Sequence, residues 1–280
     1  MSVAVTVTSS DPAVGTITTS PITFDANVGL VNAYFDPATL GVSTVAVVTP
    51  AGFSTPSSRT QRIATVDTPE IDGQDATVGR DLQTSSTVSL EAAPPSPVDI
   101  TVTVANPSKA TITTTDTAEG SGSITFTGVS TTGNKTFYVQ GRGIGTTTIT
   151  ASAGGYADSI KTVTIDPSGF IIYTPSSITT TVAAANTTMQ IRSARLDPST
   201  FAYSAIQAVR GGTSVDVPVL SSVTSVGVIT VSPVTFNSNT LYVNTAFDPI
   251  AVGITALSAE PPAGFSTPTT KRVINATVNP

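Results

Sequence analysis

A seven-residue motif that occurs twice is the feature that most constrains this chain. The sequence PAGFSTP stands at residues 50–56 and again at residues 262–268, and residues 1–66 align with residues 213–278 at this same offset of 212, without a gap after Ile17. A looser version, AGGYADS, lies between the two at residues 153–159. Because self-similarity at a fixed spacing indicates repeated structural units, the sequence predicts three copies of one fold.

The three copies divide the chain into predicted domains at residues 1–66, 67–165 and 166–280. The third copy carries an insertion near residues 201–212, which could be an extra hairpin or a short helix. The first copy begins at the strand that matches residues 215–219. It is therefore expected to lack the opening strand that the middle copy has near residues 84–90.

The missing strand has two explanations. The sequence can begin inside a domain, as a segment of a longer protein would, or a neighbouring subunit can donate the strand. Because an unpaired sheet edge invites another chain to pair with it, the second explanation predicts self-association through the open edge of the first domain.

The middle copy shows the strand pattern most completely. From Ile100 to Val104, apolar residues alternate with Thr, which is the period of a strand with one buried face. Turn-forming Asn, Pro, Gly and Ser separate such stretches. Strands are expected near residues 86–90, 99–104, 110–114, 123–127, 136–140, 146–152 and 160–165. This spacing is typical of an immunoglobulin-like sandwich, so the fold class is predicted to be all-β, with tandem immunoglobulin-like β-sandwich domains.

The repeated Gly-Phe dipeptide has a structural interpretation. Gly52 and Gly264 suit a turn, and Phe53 and Phe265, which follow them, suit an aromatic ring that packs over the end of a sandwich. We therefore expect the motif to mark the turn before the last strand of each domain.

Composition excludes most catalytic and several binding functions. The chain has no His and no Cys, which excludes a Ser-His-Asp or Cys-His site and any thiolate or imidazole metal site. Asp116 and Glu119 are three residues apart, but they lie in a Gly- and Ser-rich loop where solvated acids are ordinary, and we predict that the chain is not an enzyme. The net charge of −6 argues against nucleic acid or an anionic membrane as partner. No run of 18 apolar residues is present, so no membrane insertion is expected.

One cluster of acidic residues could bind a metal ion. Asp67, Glu70, Asp72 and Asp75 stand close together at the first domain boundary. Linkers between β-domains can hold Ca²⁺ with carboxylates and carbonyls, so a calcium site is one hypothesis for these four residues. The alternative is a solvated acidic linker. No other cofactor is expected.

Three segments of the middle copy follow the pattern of a known family. They are an Asn-Pro turn leading into a strand at residues 106–112, the glycine-led strand GRGIGTTTITA at residues 141–151, and the closing strand at residues 163–165. In these segments the middle copy resembles the bacterial Ig-like repeats called Big domains, found in intimin- and invasin-type adhesins and other cell-surface proteins. It departs from them at residues 102–104, where Val-Thr-Val replaces a segment in which that family often has Trp. The resemblance implies a surface-exposed stalk or adhesive role without catalytic residues.

The sequence therefore predicts a non-enzymatic structural segment of an extracellular, bacterial-type surface protein, either a stalk or a subunit of a filament or sheath. No signal peptide follows Met1, so an extracellular location implies a segment of something longer. One alternative is an adhesin-type module that binds glycan or a host protein through Tyr156, Tyr173 or Tyr203. Another is a phage or viral surface fibre.

Overall fold

The computed structural model describes residues 2–280, which form β-strands connected by turns and loops. No helix occurs among these residues, and so none that is long and apolar enough to cross a membrane. The chain forms two compact units: the first ends at Pro69, and the second runs from Glu70 to Pro280. The all-β prediction is confirmed, while the division into domains at 1–66, 67–165 and 166–280 stays a prediction.

The first unit is small and has few buried side chains. Its strands are β1 (Val3–Ser9), β2 (Gly15–Ile17), β3 (Ile22–Phe24), β4 (Phe35–Pro37), β5 (Gly41–Val48) and β6 (Gln61–Val66). One sheet has the order β3-β1-β5-β6, and β2 pairs with β4. Among residues 2–69, the only buried residues are Val7, Val14, Gly15 and Ser43. One sheet and a two-stranded fragment therefore bury little apolar surface by themselves.

The middle sandwich (β7–β15) belongs to the second unit. Its strands are β7 (Ile71–Gly73), β8 (Ala76–Gly79), β9 (Leu82–Leu90), β10 (Val98–Val104), β11 (Ala110–Thr113), β12 (Ser123–Val129), β13 (Lys135–Gly141), β14 (Gly145–Ser152) and β15 (Ser159–Asp166). One sheet has the order β12-β10-β14-β15-β8 and the other the order β11-β13-β9, with β7 beside β9. Strand β8 runs parallel to β15. This is the sheet arrangement of a seven-stranded immunoglobulin-like fold with two additional strands, β8 and β12.

All seven strands predicted for this sandwich are present. In strand β10 the alternation of the sequence matches the burial. Ile100, Val102 and Val104 are buried, while the Thr residues between them face outward. The sequence analysis missed β7 and β8, which precede β9. They are three and four residues long, too short to show a clear alternation.

The third sandwich is formed by the rest of the second unit. Its strands are β16 (Ser168–Thr174), β17 (Ile178–Thr181), β18 (Thr187–Leu196), β19 (Tyr203–Ile206), β21 (Val215–Val217), β22 (Val219–Ser221), β23 (Gly227–Ile229), β24 (Val234–Phe236), β25 (Tyr242–Pro249), β26 (Gly253–Ala259) and β27 (Val273–Asn279), while β20 (Ala208–Val209) joins the middle sandwich. The sheets have the orders β16-β18-β25-β23 and β17-β27-β26-β22, with β19 beside β18 and β21 beside β24.

The insertion near residues 201–212 is neither a helix nor a complete hairpin. Strand β19 turns back along β18, but β20 leaves the third sandwich and pairs with β9 of the middle one, Ala208 opposite Gln83 and Val209 opposite Leu82. Ala208 and Val209 are buried there. The alternatives left open by the sequence are thus resolved by a contact with a strand more than 100 residues away.

Residues 2–69 match only the part of the third sandwich that begins at β21. Strands β16, β17, β18 and β19 precede that part, so more than the one strand expected from sequence has no counterpart among residues 2–69. Strand β25 is paired with β18 along residues 242–247, whereas only Phe35–Pro37 forms a strand within the aligned residues 30–37. Residues 30–34 therefore have no regular strand pairing in the first unit.

Candidate functional site

The four acidic residues of the first boundary do not form a visible metal site. Among residues 2–280 no three carboxylates come close enough together to hold a metal ion. The Asp75 carboxylate instead accepts a hydrogen bond from the Thr162 backbone N–H at 2.7 Å, and the Glu70 backbone N–H donates to Glu91 at 2.9 Å. Calcium binding by Asp67, Glu70, Asp72 and Asp75 remains a prediction from sequence.

The acidic pair Asp116 and Glu119 is engaged in structural contacts. Glu119 accepts a hydrogen bond from the Arg142 guanidinium at 2.7 Å, and this bond together with the charge of Arg142 lowers the pKa of the carboxyl. Asp116 accepts a hydrogen bond from the Asn239 amide at 2.6 Å. A general acid needs a raised pKa at neutral pH, so the shift at Glu119 is in the wrong direction for that role.

The structure brings two of the three candidate tyrosines together. Tyr173 lies under the Arg192 guanidinium, whose Cζ is 3.9 Å from the ring centroid, and Lys271 Nζ lies 4.8 Å from the same centroid. Lys271 Nζ is also 5.2 Å from the Tyr203 ring. Tyr156 is not part of this tyrosine–cation patch. Its hydroxyl donates to the Ala92 carbonyl at 2.6 Å, which joins two loops of the middle sandwich.

Gln83 connects the two sandwiches of the second unit. Its side chain is buried, and its Nε2 donates to the Asp116 carbonyl at 2.7 Å and to Asn239 Oδ1 at 3.2 Å. Its Oε1 accepts from the Gly211 backbone N–H at 2.9 Å and from Gln140 Nε2 at 3.3 Å. Asn239 and Gly211 belong to the third sandwich or its insertion. The Gln83 side chain thus makes hydrogen bonds to polar groups of both the middle and the third sandwich.

Further bonds flank this amide. The Arg210 side chain pairs with the Asp81 carboxylate at 3.1 Å, and the Arg210 backbone N–H donates to the Asp81 carbonyl at 3.1 Å. Gln207 accepts from the Gly79 N–H and donates to the Thr77 carbonyl, both at 2.8 Å. The insertion therefore attaches to both β8 and β9 of the middle sandwich.

The approach at this junction is close enough to require glycine. A Cβ at residue 211 would lie 2.1 Å from the Ala118 carbonyl oxygen, well inside van der Waals contact. Nearby, the Asp166 carboxylate accepts a hydrogen bond from Arg195 at 2.6 Å, with the aspartate side chain almost fully buried. We refer to these contacts, with those of Gln83 and Arg210, as the sandwich junction.

A second feature, in the first unit, is an open apolar groove of about 430 Å³. Its walls come from the inward side of the single sheet and from the loop that carries the repeated motif. The lining residues include Val3, Val5, Phe24, Val47, Phe53 and Pro56. Phe53 is 57% exposed and Val47 45%. We call it the Phe24–Phe53 groove.

The same positions of the third sandwich are covered. Phe236, at the position of Phe24, is fully buried, and its ring centroid lies 4.9 Å from that of Phe170. Phe265, at the position of Phe53, lies 4.8 Å from Phe170. Phe170 belongs to β16, which has no equivalent in the first unit. The groove is therefore the space that an aromatic side chain fills in the third sandwich.

The sequence analysis treated the aromatic residue of the motif as a plug and so missed the groove. Gly52 and Gly264 have φ of +88° and +94°, as expected of turn glycines. Phe265 does pack over its sandwich, but Phe53 does not. The sequence contained the information needed to expect the groove. The repeat alignment pairs Phe24 with Phe236, and residues 1–66 have no counterpart of residues 166–212.

The strands and their pairing define an all-β protein built of tandem immunoglobulin-like sandwiches. The sequence matches no known protein family and no curated protein. Among solved structures, it is similar to domains 5–6 of the S-layer protein SbsC, with 19% identity, a TM-score of 0.30, and coverage of 76% of this chain and 96% of that one. It is also similar to titin domains I67–I69, with 11% identity, a TM-score of 0.24, and coverage of 99% and 88%. Escherichia coli alpha-2-macroglobulin matches at 10% identity and a TM-score of 0.26, and this match covers 94% of the present chain and 26% of that protein.

Matches this distant say nothing about what the chain binds or does. None of these three structures is described as containing Big domains, so the resemblance to that family stays a prediction.

Proposed function

We propose that the chain is a non-enzymatic structural segment of an extracellular, bacterial-type surface protein, serving in a stalk or in a filament or sheath. The sandwich junction is the observation that carries this proposal. A segment that holds other parts at a distance has to resist bending between its domains, and this junction supplies the resistance.

The physical argument rests on how the two sandwiches are joined. Sandwiches connected only by a flexible linker move independently, which is the default for domains that share a small interface. Here β20 extends a sheet of the middle sandwich, and the buried Gln83 side chain would lose its hydrogen bonds to Gly211 and Asn239 if the sandwiches separated. Because an unpaired buried amide is costly, bending at this point is opposed by several contacts at once.

Chemistry and composition support a passive role. The chain has no His or Cys, and charged residues make up 11% of it. Of the acidic groups that the sequence singled out, Glu119, Asp116 and Asp75 accept hydrogen bonds from Arg142, Asn239 and the Thr162 backbone N–H. Nothing in these contacts provides a nucleophile with an adjacent base.

Location is the property to test first. Intact cells that express the gene would be treated with protease and labelled with antibody raised against the chain. We expect labelling before permeabilisation and loss of the antigen on protease treatment, while a cytoplasmic marker stays intact. Antigen that becomes accessible only after the cells are lysed would contradict the proposal.

A second candidate, an adhesin-type binding module, is favoured by the tyrosine–cation patch. Aromatic rings with nearby cations suit an acidic sugar, because the ring face packs on the pyranose and the cation pairs with the carboxylate. Tyr173 is 37% exposed and so reachable from solvent.

A glycan array would test this second candidate. Binding to acidic glycans that is lost in Tyr173→Ala and Tyr203→Ala, but kept in the control Tyr34→Ala in the first unit, would support it. An array without signal would remove it.

A further inference from the structure

We propose that the tyrosine–cation patch of the third sandwich binds the acidic end of the middle sandwich in a second copy of this chain. The acidic end consists of Glu70, Asp72, Glu91 and Asp158. This inference rests on the structural role proposed above and deepens it, because it names the two surfaces through which a filament or sheath subunit contacts its neighbour.

The patch is a row in which rings and cations alternate. Arg192 Cζ lies 3.9 Å from the centroid of the Tyr173 ring and 5.7 Å from that of Tyr242. Lys271 Nζ lies 4.8 Å from the Tyr173 centroid and 5.2 Å from that of Tyr203. Three of the six tyrosines of the chain therefore surround two cations. Because each cation is held between two rings, little side-chain freedom is left to be lost when a partner binds.

The two cations of the patch have no acidic partner among residues 2–280. Five ion pairs occur in this part of the chain, and they include every arginine of the second unit except Arg192. Lys271 is exposed and belongs to none of the five. Since two cations beside one ring repel each other until an anion accompanies them, the patch is suited to an acidic partner.

The residue types of the patch favour a protein as that partner. Tyrosine and arginine are enriched among the residues that carry most of the binding energy at protein interfaces. Tyr173 and Tyr242 are 37% and 49% exposed, so part of each ring is free to contact another surface. The rings supply contact area, while the cations select which surface they contact.

The acidic end lies at the far end of the middle sandwich from the junction. Strand β9 runs away from the junction, and β7 with Asp72 pairs with the distant half of β9. The Glu91 N–H donates to the Glu70 carbonyl at 3.0 Å, and a β-bridge joins Glu70 to Ala157, the residue before Asp158. All four acidic residues are exposed, and none of them belongs to an ion pair. They are therefore available to a second molecule.

The patch and the acidic end of one chain do not meet each other. Strand β9 has nine residues, and its length of roughly 26 Å separates the acidic end from the junction and hence from the third sandwich. A contact between the two surfaces thus requires two molecules.

Charge complementarity points to a second copy of the chain as the partner. Residues 70–166 contain ten acidic and five basic residues, whereas residues 167–280 contain four acidic and five basic ones. Within one compact unit the middle sandwich is therefore negative and the third slightly positive. When two copies lie staggered, the third sandwich of one is attracted to the middle sandwich of the other.

The geometry of such a contact fits a filament or sheath. Because the patch and the acidic end are different surfaces, the contact is heterologous, and every pair of molecules keeps one free surface of each kind. Heterologous contacts build open filaments unless the rotation between subunits closes a ring. A subunit of an extended structure needs this property.

Sedimentation velocity on the full chain tests the proposal. We expect species larger than the monomer to form as the protein concentration rises at low ionic strength. Their apparent Kd should increase about tenfold or more when the ionic strength is raised from about 0.02 M to about 0.5 M, because salt screens charges on exposed surfaces.

Two charge-reversed variants identify the surfaces. The patch variant combines Arg192→Glu with Lys271→Glu, and the end variant combines Asp72→Lys with Asp158→Lys. Each variant alone should stay monomeric, because it places like charges opposite each other. An equimolar mixture should associate, since the unchanged patch of the end variant meets the unchanged acidic end of the patch variant.

Controls separate the contact from folding and from net charge. Arg59→Glu combined with Arg62→Glu, both at exposed residues of the first unit, changes the net charge as much as the patch variant does and should associate as the unmodified chain does. All variants should keep the circular dichroism spectrum. If the patch variant does not fold, Lys271→Glu alone, at an exposed residue, should still weaken association.

Four results would overturn the proposal. They are a chain that stays monomeric up to about 1 mM, association unchanged in the patch variant, association unchanged in the end variant, and a mixture of the two that stays monomeric. A monomeric chain that binds an acidic glycan through Lys271 would assign the patch to the adhesin-type candidate and reject this one. None of these outcomes bears on the surface location of the chain, so the two proposals fail separately.

Discussion

The change Gln83→Ala tests whether the sandwich junction holds the second unit together. The substitution removes the acceptor of the Gly211 N–H and the Gln140 amide, and the donor to the Asp116 carbonyl and Asn239. Each buried donor left without a partner costs about 1–3 kcal/mol. Water can reach part of the vacated space, so we expect a loss of roughly 2–4 kcal/mol in the free energy of unfolding of this unit.

Two measurements on the full chain check this prediction. Denaturant unfolding followed by circular dichroism gives the loss of stability, and hydrogen exchange read by mass spectrometry shows where protection is lost. We expect faster exchange in β20 and residues 210–212 as well as in β9, because Gln83 is bonded to both sides. Gln74→Ala, at an exposed residue of the same sandwich, is the matched control and should change stability by less than about 0.5 kcal/mol.

The reasoning would be refuted by a loss below about 1 kcal/mol. It would also be refuted if faster exchange stayed within β9 while the insertion kept its protection. Either result would mean that the two sandwiches are held by other contacts and that Gln83 is only a locally satisfied side chain.

Three further predictions concern single sites. Phe236→Ala should lower the stability of the second unit by about 3–5 kcal/mol in denaturant unfolding, because a fully buried ring is removed. The same change at its repeat partner Phe24 should cost less than about 1.5 kcal/mol, because that ring borders the open groove, and equal losses would contradict the comparison. The backbone N–H and the hydroxyl of Thr200 hold the pKa of Asp197 below its ordinary value, so its contribution to stability is present above about pH 4 and lost as the pH falls through the lowered pKa. Asp197→Ala should therefore reduce the difference in Tm between pH 7 and pH 2, and an unchanged difference would refute this. Millimolar Ca²⁺ or chelator should leave thermal melts unchanged, since no three carboxylates gather among residues 2–280, and a rise in Tm with Ca²⁺ would revive the acidic-linker site.

The local sequence pattern was sufficient to predict a strand when the strand is long and has one buried face. In β10, Ile100, Val102 and Val104 alternate with Thr, and in β14 a Thr separates Ile149 from Ala151, so period and turn residues together predicted these elements. Strands β7 and β8 show no such period, and their pairing with β9 and β15 decides their conformation. Short strands depend on their partners more than on their own residues.

The candidate sites, like the strands, were predicted from sequence only in part, and the rest depends on tertiary contacts. The sequence identified Phe53 and Phe265 as equivalent residues of one motif, yet one is exposed and the other packs on Phe170. Tyr173 and Tyr203 were named separately, and the fold places both near Lys271. Nothing in the sequence indicated a role for Gln83, because the strand pattern does not tell whether a Gln side chain faces solvent or a neighbouring sandwich.

The sequence by itself determined the repeat, the all-β class and the strand pattern, because side-chain alternation and turn residues are local properties of the chain. The tertiary structure alone decided that β20 crosses to β9. It also decided that Phe24 and Phe53 border an open groove while their repeat partners are covered. The physical reason is that burial depends on what lies across from a residue. The aromatic residues of the two identical motifs differ in burial because β16 packs against only the second one.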